Sequence, residues 1–418
     1  METDRRRAKR ARTSSPVPVP VPPSCRREWA HLPEGLAEEI AERVLSDDVA
    51  GCVRFRATCT AWRASCADPR AHSVFDRRFH PRRWIMLPRA LSDGRSSRRR
   101  FLSVLTGESI RVRLPDLRCH LVLGPTAEGF VVLLRRRTLV VHLLNPLTGQ
   151  LVDLPSASTL AGRRASGEAI DVKDYVVLNA GVAVDSTVAL HFYGFSFLAV
   201  AKPGDKYWTK LDLDGGIRSA MPFAGRFYCA SAMNIAVLET SAGQRPQLVP
   251  AADFKLMNRS SCSDEPYLAE IDGELLAIFT HQPSNPWLDN RLTCKVYRVD
   301  LDAGELVAMA RLGGGAVFVS YDGGGRTVSV PAGLSPSIGA DTVYFCHRYD
   351  RAAGRVEVDA CRLVNGRIET DCRRRKCPLS LVDYISRYVA EIDRRELKRR
   401  TTRDQSQGWM FDMFYLRF

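Results

Sequence analysis

The sequence predicts a multidomain α+β protein. It comprises a small helical module, then an all-β domain that is best explained as a β-propeller of the kelch-like type, and a C-terminal amphipathic helix. Helical spacing of apolar residues occurs in 28–70 and 379–398, whereas short apolar, β-branched runs separated by turn signals fill about 101–370. These runs form loosely similar units roughly 45–70 residues apart, near the length of a propeller blade. A β-sandwich is the second choice.

Charge narrows the classes of partner. The net charge of +14 is compatible with nucleic acid, an anionic membrane surface or an acidic protein as partner. Residues 1–27 carry eight basic and two acidic side chains, and residues 28–70 carry five basic and eight acidic ones. A basic arm beside an acidic helical segment is not one continuous nucleic-acid face, so nucleic-acid binding is an unfavoured alternative.

Targeting signals and cysteines indicate the compartment. No stretch supplies the ~20 apolar residues that span a bilayer, and the Arg- and Pro-rich N-terminus lacks the apolar core of a secretory signal. We therefore expect no membrane partner, and the twelve cysteines should be reduced thiols. The expected location is the nucleus, the cytoplasm or both.

The arm at 1–27 is low-complexity, with a basic cluster followed by Pro-Val alternation, and it is predicted to be disordered. Its cluster is equally compatible with a solvated tail and with a nuclear-import signal. The candidate import residues are Arg5, Arg6, Arg7, Lys9, Arg10 and Arg12.

Three short helices are predicted in 28–70. Leu36, Ile40 and Val44 form one apolar stripe, and Leu32-Pro33 fits the start of that helix. Ser46-Asp47-Asp48 breaks the helix and can cap the next one. A second apolar face follows, formed by Cys52, Phe55, Cys59 and Trp62. So small a core needs help from another surface.

The remaining segments are assigned by composition and pattern. Residues 71–100 are Arg-rich and predict a basic connector; 101–378 is the β domain; and 379–418 contains a helix capped by Ser380 and an aromatic tail. Asn145-Pro146 and Thr148-Gly149 are among the turn signals of the β domain. The C-terminal helix is expected to pack on that domain.

Catalytic and metal motifs are weak throughout. Gly194-Phe195-Ser196-Phe197 lacks the second glycine of a nucleophile elbow, and Cys372 and Cys377 have no second pair at zinc spacing. No cofactor, metal or catalytic residue is predicted, and a binding protein is favoured over an enzyme.

Residues 28–63 resemble the F-box of plant F-box proteins, and the following domain resembles the uncharacterised β domain of a large plant family. The F-box match runs through Trp29, Leu32-Pro33, Leu36, Ile40, Asp47-Asp48, Phe55-Arg56, Cys59 and Trp62-Arg63. The second match rests on Phe101-Leu102-Ser103, Leu114-Pro115, the Asn-Pro-x-Thr-Gly…Leu-Pro of 143–155, the run 316–331 and Tyr344-Phe345. The C-terminal helix and tail do not follow the family pattern.

This resemblance implies a non-catalytic substrate-receptor subunit of a Skp–cullin–F-box ubiquitin ligase. The F-box would bind the Skp-type adaptor, and through it the cullin, while the β domain would hold an unidentified protein target. The residues implied in adaptor binding are Leu32, Pro33, Leu36, Ile40, Val44 and Trp62. Internal packing is an equal or better explanation for Ile40, Phe55 and Cys59; the interface is favoured for Leu32, Pro33 and Leu36.

Three alternatives remain open. A basic nucleic-acid-binding protein would interleave aromatic side chains with its arginines, and the clusters at 5–12, 98–100 and 373–376 do not. A propeller enzyme acting on sugars or small metabolites would need a ring of acidic or His residues at one mouth. An adaptor-bound scaffold would keep the F-box without causing degradation.

Overall fold

The structure is a computed structural model, and the described residues include three helices and 24 strands. It describes residues 29, 32–87, 98–114, 117, 119–160, 175–193, 195–241, 243–254, 266–281, 293–320, 326–350, 355–363, 367–371, 385–386 and 388–389. The predicted import cluster, Ser380 and the aromatic tail lie outside these residues.

The N-terminal helices form the helical unit, which comprises α1 (Glu34–Asp47), α2 (Val49–Thr58) and α3 (Thr60–Ala64). Asp48 has φ −161° and ψ 131°, so the chain turns sharply between α1 and α2 at the predicted break. Cys59 is also extended, and its Sγ accepts a hydrogen bond from the Trp62 N–H. The predicted single face from Cys52 to Trp62 is therefore wrong, because Cys59 ends one helix and caps the next.

The predicted connector at 71–100 is more ordered than its composition suggests. A 3-10 turn, Pro69–Ala71, leads into it, and it contains a second 3-10 turn (Arg77–Phe79), the strand β1 (Trp84–Met86) and the start of β2. The first strand that pairs into the β domain therefore begins at Trp84, within the predicted connector. The arginine-rich composition does not reveal this first strand. β1 pairs with β2 across residues 88–97, and pairing between separated residues leaves no local sequence signal.

The strands form six blades. Blade 1 contains β1, β2 (Arg98–Ser103) and β3 (Ser109–Arg113). Blade 2 contains β4 (His120–Pro125), β5 (Val131–Arg135), β6 (Val140–Leu144) and β7 (Leu151–Ser156). Blade 3 contains β8 (Val177–Val182), β9 (Val188–Phe192), β10 (Phe197–Ala201) and β11 (Thr209–Asp212).

The remaining blades continue the series. Blade 4 contains β12 (Ser219–Phe223), β13 (Arg226–Ala230), β14 (Asn234–Glu239) and β15 (Gln247–Asp253). Blade 5 contains β16 (Pro266–Ile271), β17 (Glu274–His281), β18 (Thr293–Asp300) and β19 (Glu305–Met309). Blade 6 contains β20 (Ala316–Ser320), β21 (Thr327–Val330), β22 (Thr342–Asp350), β23 (Arg355–Arg362) and β24 (Arg367–Asp371). A single bridge, Thr293 with Arg367, joins blades 5 and 6 into one nine-stranded sheet.

Hydrophobic packing closes the blades into a ring. Separate apolar clusters lie between blades 1 and 2, 2 and 3, 3 and 4, 4 and 5, and 5 and 6. A further cluster joins blade 6 back to blade 1 through Phe318 and Leu102. Burying both faces of each sheet between neighbours is the packing of a six-bladed β-propeller, which excludes the β-sandwich. The arrangement is that of propellers in general rather than of the kelch type in particular.

The C-terminal helical residues complete the last cluster. Ile385, Tyr388 and Val389 are buried between blade 6 and blade 1, whose described part has three strands where blades 2–5 have four. The described part of the predicted C-terminal helix therefore packs on the β domain. No helix in the described part of the chain is long and apolar enough to cross a membrane.

Candidate functional site

An apolar surface lies at the start of α1. Pro33 caps the helix and is exposed, Leu32 beside it is half-buried, and Leu36 and Ile40 are 51% and 38% exposed. Leu36 and Ile40 are four residues apart and therefore lie on the same side of the helix. We name Leu32, Pro33, Leu36 and Ile40 the α1 surface. Its exposure argues against internal packing for Ile40.

The buried side of α1 is a different stripe. Ala37, Ala41 and Leu45 face the core of the helical unit, and Val44 packs against that core from its edge. With about four apolar residues per two turns, the apolar stripe of α1 is wider than the area that this small unit can bury. The surplus, Leu36 and Ile40, is left on the surface.

Trp62 supports the unit from within. Its ring stacks on Phe55 with centroids 4.5 Å apart, and its Nε1–H donates to the Trp29 carbonyl oxygen at 2.9 Å. Trp29 itself is 55% exposed. Val44 and Trp62 therefore stabilise the helical unit, whereas Trp29, which received no binding role from the sequence, adds exposed aromatic area near α3.

Acidic side chains surround the α1 surface. Glu34, Glu38, Glu39 and Glu42 lie on α1 and are exposed, and Arg43 is the one basic residue of that helix, paired with Glu39. An apolar patch with a charged rim is the usual anatomy of a protein-binding surface. The complementary partner would present an apolar groove with basic residues beside it.

The core of the helical unit extends into the β domain. Leu45, Val49 and Cys52 pack with Phe79 of the second 3-10 turn and with Leu147, which lies between β6 and β7 of blade 2. Cys52 and Cys66 bring their Sγ atoms to 3.0 Å in this core, and burial raises the pKa of the Cys52 thiol to about 12. The extra surface that so small a core needs is thus supplied in part by the propeller.

One turn recurs in three blades. It spans Ser103–Glu108 in blade 1, Asn145–Gln150 in blade 2 and Asp300–Glu305 in blade 5, and its fifth residue is a glycine with φ of 71°, 75° and 69° respectively. In each, the side chain of the first residue accepts backbone N–H bonds within the turn. Glycine adopts this left-handed conformation without steric cost. The repeated Leu-Thr-Gly-Glu/Gln of blades 1 and 2 is the sequence signal for it.

The blade 2 turn also binds the connecting segment, which comprises residues 69–83 between the helical unit and β1. The buried Asn145 side chain donates from Nδ2 to the Phe79 carbonyl oxygen at 2.8 Å. Gln150 Nε2 donates to the carbonyl oxygens of Pro69 and His72 at 2.8 and 3.0 Å. We call Asn145 and Gln150 the clamp, because together they bind the chain that links the helical unit to blade 1. The sequence predicts this turn, but it does not predict that the turn binds the connecting segment.

Three further contacts tie the helices to blade 1. Arg54 of α2 donates to both carboxylate oxygens of Glu108 at 3.2 and 2.5 Å. The Trp84 Nε1–H donates to the Asp48 carboxylate at 2.8 Å, so Asp48 bonds this tryptophan rather than the N-terminus of α2. Arg83 donates to the Asp47 carbonyl oxygen at 2.5 Å. The α1 surface is therefore presented in a fixed orientation to the propeller.

A charged cleft of about 1250 Å³ separates α1 from the connecting segment. Its lining includes Glu38, Glu42 and Asp47 of α1 and the basic residues Arg77, Arg78, Arg82 and Arg83 that precede β1. The guanidinium of Arg78 binds Asp76 and holds the pKa of that carboxyl below its usual range. This mixed lining does not favour one charge class of ligand.

Arg82 lies near carboxyl groups of two different blades. Its positive charge acts on Glu128, between β4 and β5 of blade 2, and on Glu270 of blade 5. Burial raises the pKa of both carboxyls. Glu128 accepts the Val182 N–H at 2.9 Å, which joins blade 2 to blade 3. Within the described residues no three His, Cys, Asp or Glu side chains are placed to hold a metal ion.

A family model described as the KIB1-4 beta-propeller matches residues 101–369, well over half of the chain. The chain belongs to the KIB1-4 β-propeller family. The match covers blades 2–5, part of blade 1 and blade 6 up to the middle of β24, and the helical unit lies outside it. No curated protein matches the chain.

Solved propellers are similar at low identity. The β-propeller domain of Cps50 (Swd1) from Myceliophteria thermophila is 13% identical, with 69% of this chain and 79% of that chain covered and a TM-score of 0.32. YCF48 from Cyanidioschyzon merolae is 10% identical, with 65% and 78% covered and a TM-score of 0.30. A streptogramin B lyase is 11% identical, with 63% and 85% covered and a TM-score of 0.28. These similarities carry no argument about function.

Proposed function

We propose that this member of the KIB1-4 β-propeller family is a non-catalytic substrate-receptor subunit of a Skp–cullin–F-box ubiquitin ligase. The helical unit would bind the Skp-type adaptor, and the propeller would hold a protein target. The proposal is carried by one observation, the exposed Leu36 and Ile40 of a helical unit that follows the F-box pattern. Ligase chemistry would reside in other subunits, in the nucleus, the cytoplasm or both.

The geometry supports this function in two ways. Apolar side chains that are exposed to water on a helix are unfavourably solvated until a partner covers them. They contribute most to the free energy of binding when they fill a groove on that partner. The clamp and the Arg54–Glu108 pair hold the helical unit against blades 1 and 2, so adaptor and target would be kept at a set distance.

The test is binding of purified Skp-type adaptor to the full-length chain and to Leu36→Glu/Ile40→Glu. Both side chains are exposed, so the variant should fold, and two buried carboxylates at the interface should weaken binding at least ~100-fold. Leu151→Glu is the matched control, since Leu151 is 39% exposed on β7 of the propeller. It should bind adaptor normally.

Each other outcome has a meaning. If the wild-type chain binds no adaptor, the ligase assignment fails. If the double variant binds as tightly as wild type, the α1 surface is not the interface. A protein that binds adaptor while no associated protein changes its half-life on depletion would be the non-degradative scaffold.

A further inference from the structure

Two cysteine side chains meet in the core of the helical unit. Cys52 lies in α2, and Cys66 follows the last residue of α3 by two positions. Their Sγ atoms are 3.0 Å apart, so a hydrogen bond joins the two thiols, with either sulfur as the donor. A disulfide bond is ~2.05 Å long, so the two sulfurs need to approach by only about 1 Å to form one. We call Cys52 and Cys66 the cysteine pair.

Arg56 holds the second cysteine beside the first. It lies four residues after Cys52, on the same side of α2. Its guanidinium donates to the Cys66 carbonyl oxygen at 2.5 Å and forms an ion pair with Asp68 at 3.1 Å. The chain after α3 is therefore bound to α2 by a charged side chain as well as by apolar packing. This contact keeps the two sulfurs next to each other.

The two thiols differ in their access to solvent. Cys52 is fully buried, and burial raises the pKa of its thiol to about 12, a rise that the charge of Arg56 opposes. Cys66 is 5% exposed and lines the charged cleft beside α1, so a small oxidant in that cleft can reach it. We therefore expect Cys66 to react with the oxidant first, and Cys52 to react with the oxidised Cys66.

We propose that the cysteine pair is a site of reversible oxidation, at which a peroxide converts the two thiols into a disulfide that links α2 to the chain after α3. The Cys66 thiolate attacks one oxygen of hydrogen peroxide and breaks the O–O bond, which gives a sulfenic acid and a hydroxide that takes up the thiol proton. The Cys52 sulfur then displaces the sulfenic oxygen, which leaves as water with the Cys52 proton. Two thiols thus lose two electrons and two protons, and one peroxide becomes two waters.

The disulfide would stabilise a unit whose own core is small. It closes the loop 52–66, which contains the end of α2 and all of α3, and such a closure restricts the unfolded segment. Ala41 and Leu45 of α1 pack on the same core, so the α1 surface is held more firmly in the oxidised protein. Intracellular disulfides are usually transient, and a small thiol such as glutathione reverses this one by exchange. The reaction needs no adaptor, so the inference goes beyond the proposed function.

The test uses the purified full-length chain, which is treated with hydrogen peroxide, alkylated and run on a non-reducing gel. Trypsin places Cys52, Cys59 and Cys66 on the separate peptides 44–54, 57–63 and 64–70. Mass spectrometry of the monomer band should find peptide 44–54 linked to 64–70, and glutathione should remove the link. Cys119 is an exposed thiol whose oxidation confirms that the peroxide was active. Oxidised Cys119 without the 44–54/64–70 link would overturn the proposal.

Cys59→Ser is the matched control variant. Cys59 lies between the two cysteines along the chain and is more exposed than either, and a serine keeps an acceptor for the Trp62 N–H. The variant should form the link as wild type does. Wild-type protein in which peptide 57–63 is linked as often as 64–70 would show that access alone decides the reaction, and the assignment would fail.

Arg56→Gln tests the positioning role of the guanidinium. The variant should form the link at least ~10-fold more slowly, because Cys66 loses its charged donor and the Cys52 thiol loses a neighbouring positive charge. An unchanged rate would refute that role.

Hydrogen exchange tests the structural consequence. Amides in 49–66 should exchange at least ~10-fold more slowly in the oxidised chain than in Cys66→Ser treated in the same way. Circular dichroism establishes that Cys66→Ser is folded, and the peptide mapping of the wild-type chain does not depend on it. Faster exchange in the oxidised chain would mean that the disulfide distorts the helical unit, which contradicts the stabilising effect.

Discussion

At the scale of single residues, two buried histidines make the fold sensitive to acid. Burial lowers the pKa of His80 to about 4, helped by the charges of Arg82 and Arg77 and opposed by a bond to the Phe75 carbonyl oxygen and by Asp76. Burial likewise lowers the pKa of His191 to about 4. Both rings stay neutral in the folded protein, whereas they take up protons near pH 6.5 when the chain unfolds.

The sign of the pH effect follows from these values. Above pH 6.5 both states are neutral, and the contribution to stability is complete. As pH falls from 6.5 to 4 only the unfolded state binds protons, so the free energy of unfolding decreases.

His80→Gln retains a donor for the Phe75 carbonyl oxygen and cannot titrate. It should remove about 2 kcal/mol of the loss between pH 7 and pH 5, measured by urea unfolding at both values. His72→Gln, a change at the partly exposed surface, is the control; an unchanged pH dependence in His80→Gln would contradict the assignment.

The α1 surface shows what sequence can establish at this scale. Leu32, Pro33 and Leu36 could be assigned to a surface because they fit a motif, and the structure exposes Pro33 and Leu36. Ile40 could not be assigned, because helical spacing predicts a stripe without telling which part of it a small unit will cover. That depends on Phe79 and Leu147, which arrive from distant parts of the chain.

At the scale of elements, the recurring turn separates a folding role from a positioning role. The turns Asn145–Gln150 and Asp300–Glu305 share two hydrogen bonds, from the fourth N–H to the side chain of the first residue and from the fifth N–H to its carbonyl oxygen, but only the first turn contacts the connecting segment in the described structure. Removing Asn145 should therefore affect both its turn and the attachment of the helical unit. Removing Asp300 should affect its turn and its ion pair with Arg298 of the same strand, and leave the connecting segment unchanged.

Asn145→Ala leaves the buried Phe79 carbonyl oxygen without its donor, which costs roughly 1–3 kcal/mol. Local opening of 69–83 should rise on the order of 10-fold or more, measured by hydrogen exchange and by protease cleavage in that segment. Asp300→Ala should leave exchange in 69–83 at the wild-type rate. Equal protection of 69–83 in Asn145→Ala and wild type would show that the clamp does not hold the segment.

Some of these elements can be predicted from the sequence and others cannot. Asn145-Pro146 and Thr148-Gly149 identified a turn because its conformation is local and needs glycine. The composition of Arg98–Arg100 predicts a connector instead of a strand. A strand is defined by its pairing partner, and the partner here is β3, which follows only after the turn Ser103–Glu108. Charge composition cannot reveal such pairing.

At the scale of the whole molecule, closure of the ring is the least local property. The blades were predictable from repeated apolar strands and turns, but their number and the means of closure were not, because blades 1 and 6 meet through residues more than 200 positions apart, such as Leu102 and Phe318, a separation that no local pattern reports. Arg326 makes a second long-range link. It is half-buried and donates to the carbonyl oxygens of Val177, Leu178 and Tyr388 at 3.3–3.5 Å, so it joins blade 6 to blade 3 and to the C-terminal residues.

The C-terminal residues should therefore act as the closure of the propeller. Ile385→Ala/Val389→Ala removes two fully buried side chains between blades 6 and 1 and should cost about 2–4 kcal/mol for each. Because every other inter-blade cluster is intact, the loss should open the ring locally at blades 1 and 6 before the others. Hydrogen exchange should rise in Ile85, Leu102 and Phe318 while Phe227 of blade 4 stays protected. Tyr207→Ala, at an exposed position, should change neither. A uniform rise across all blades would instead mean that the ring unfolds as one unit and that the C-terminal residues are ordinary core.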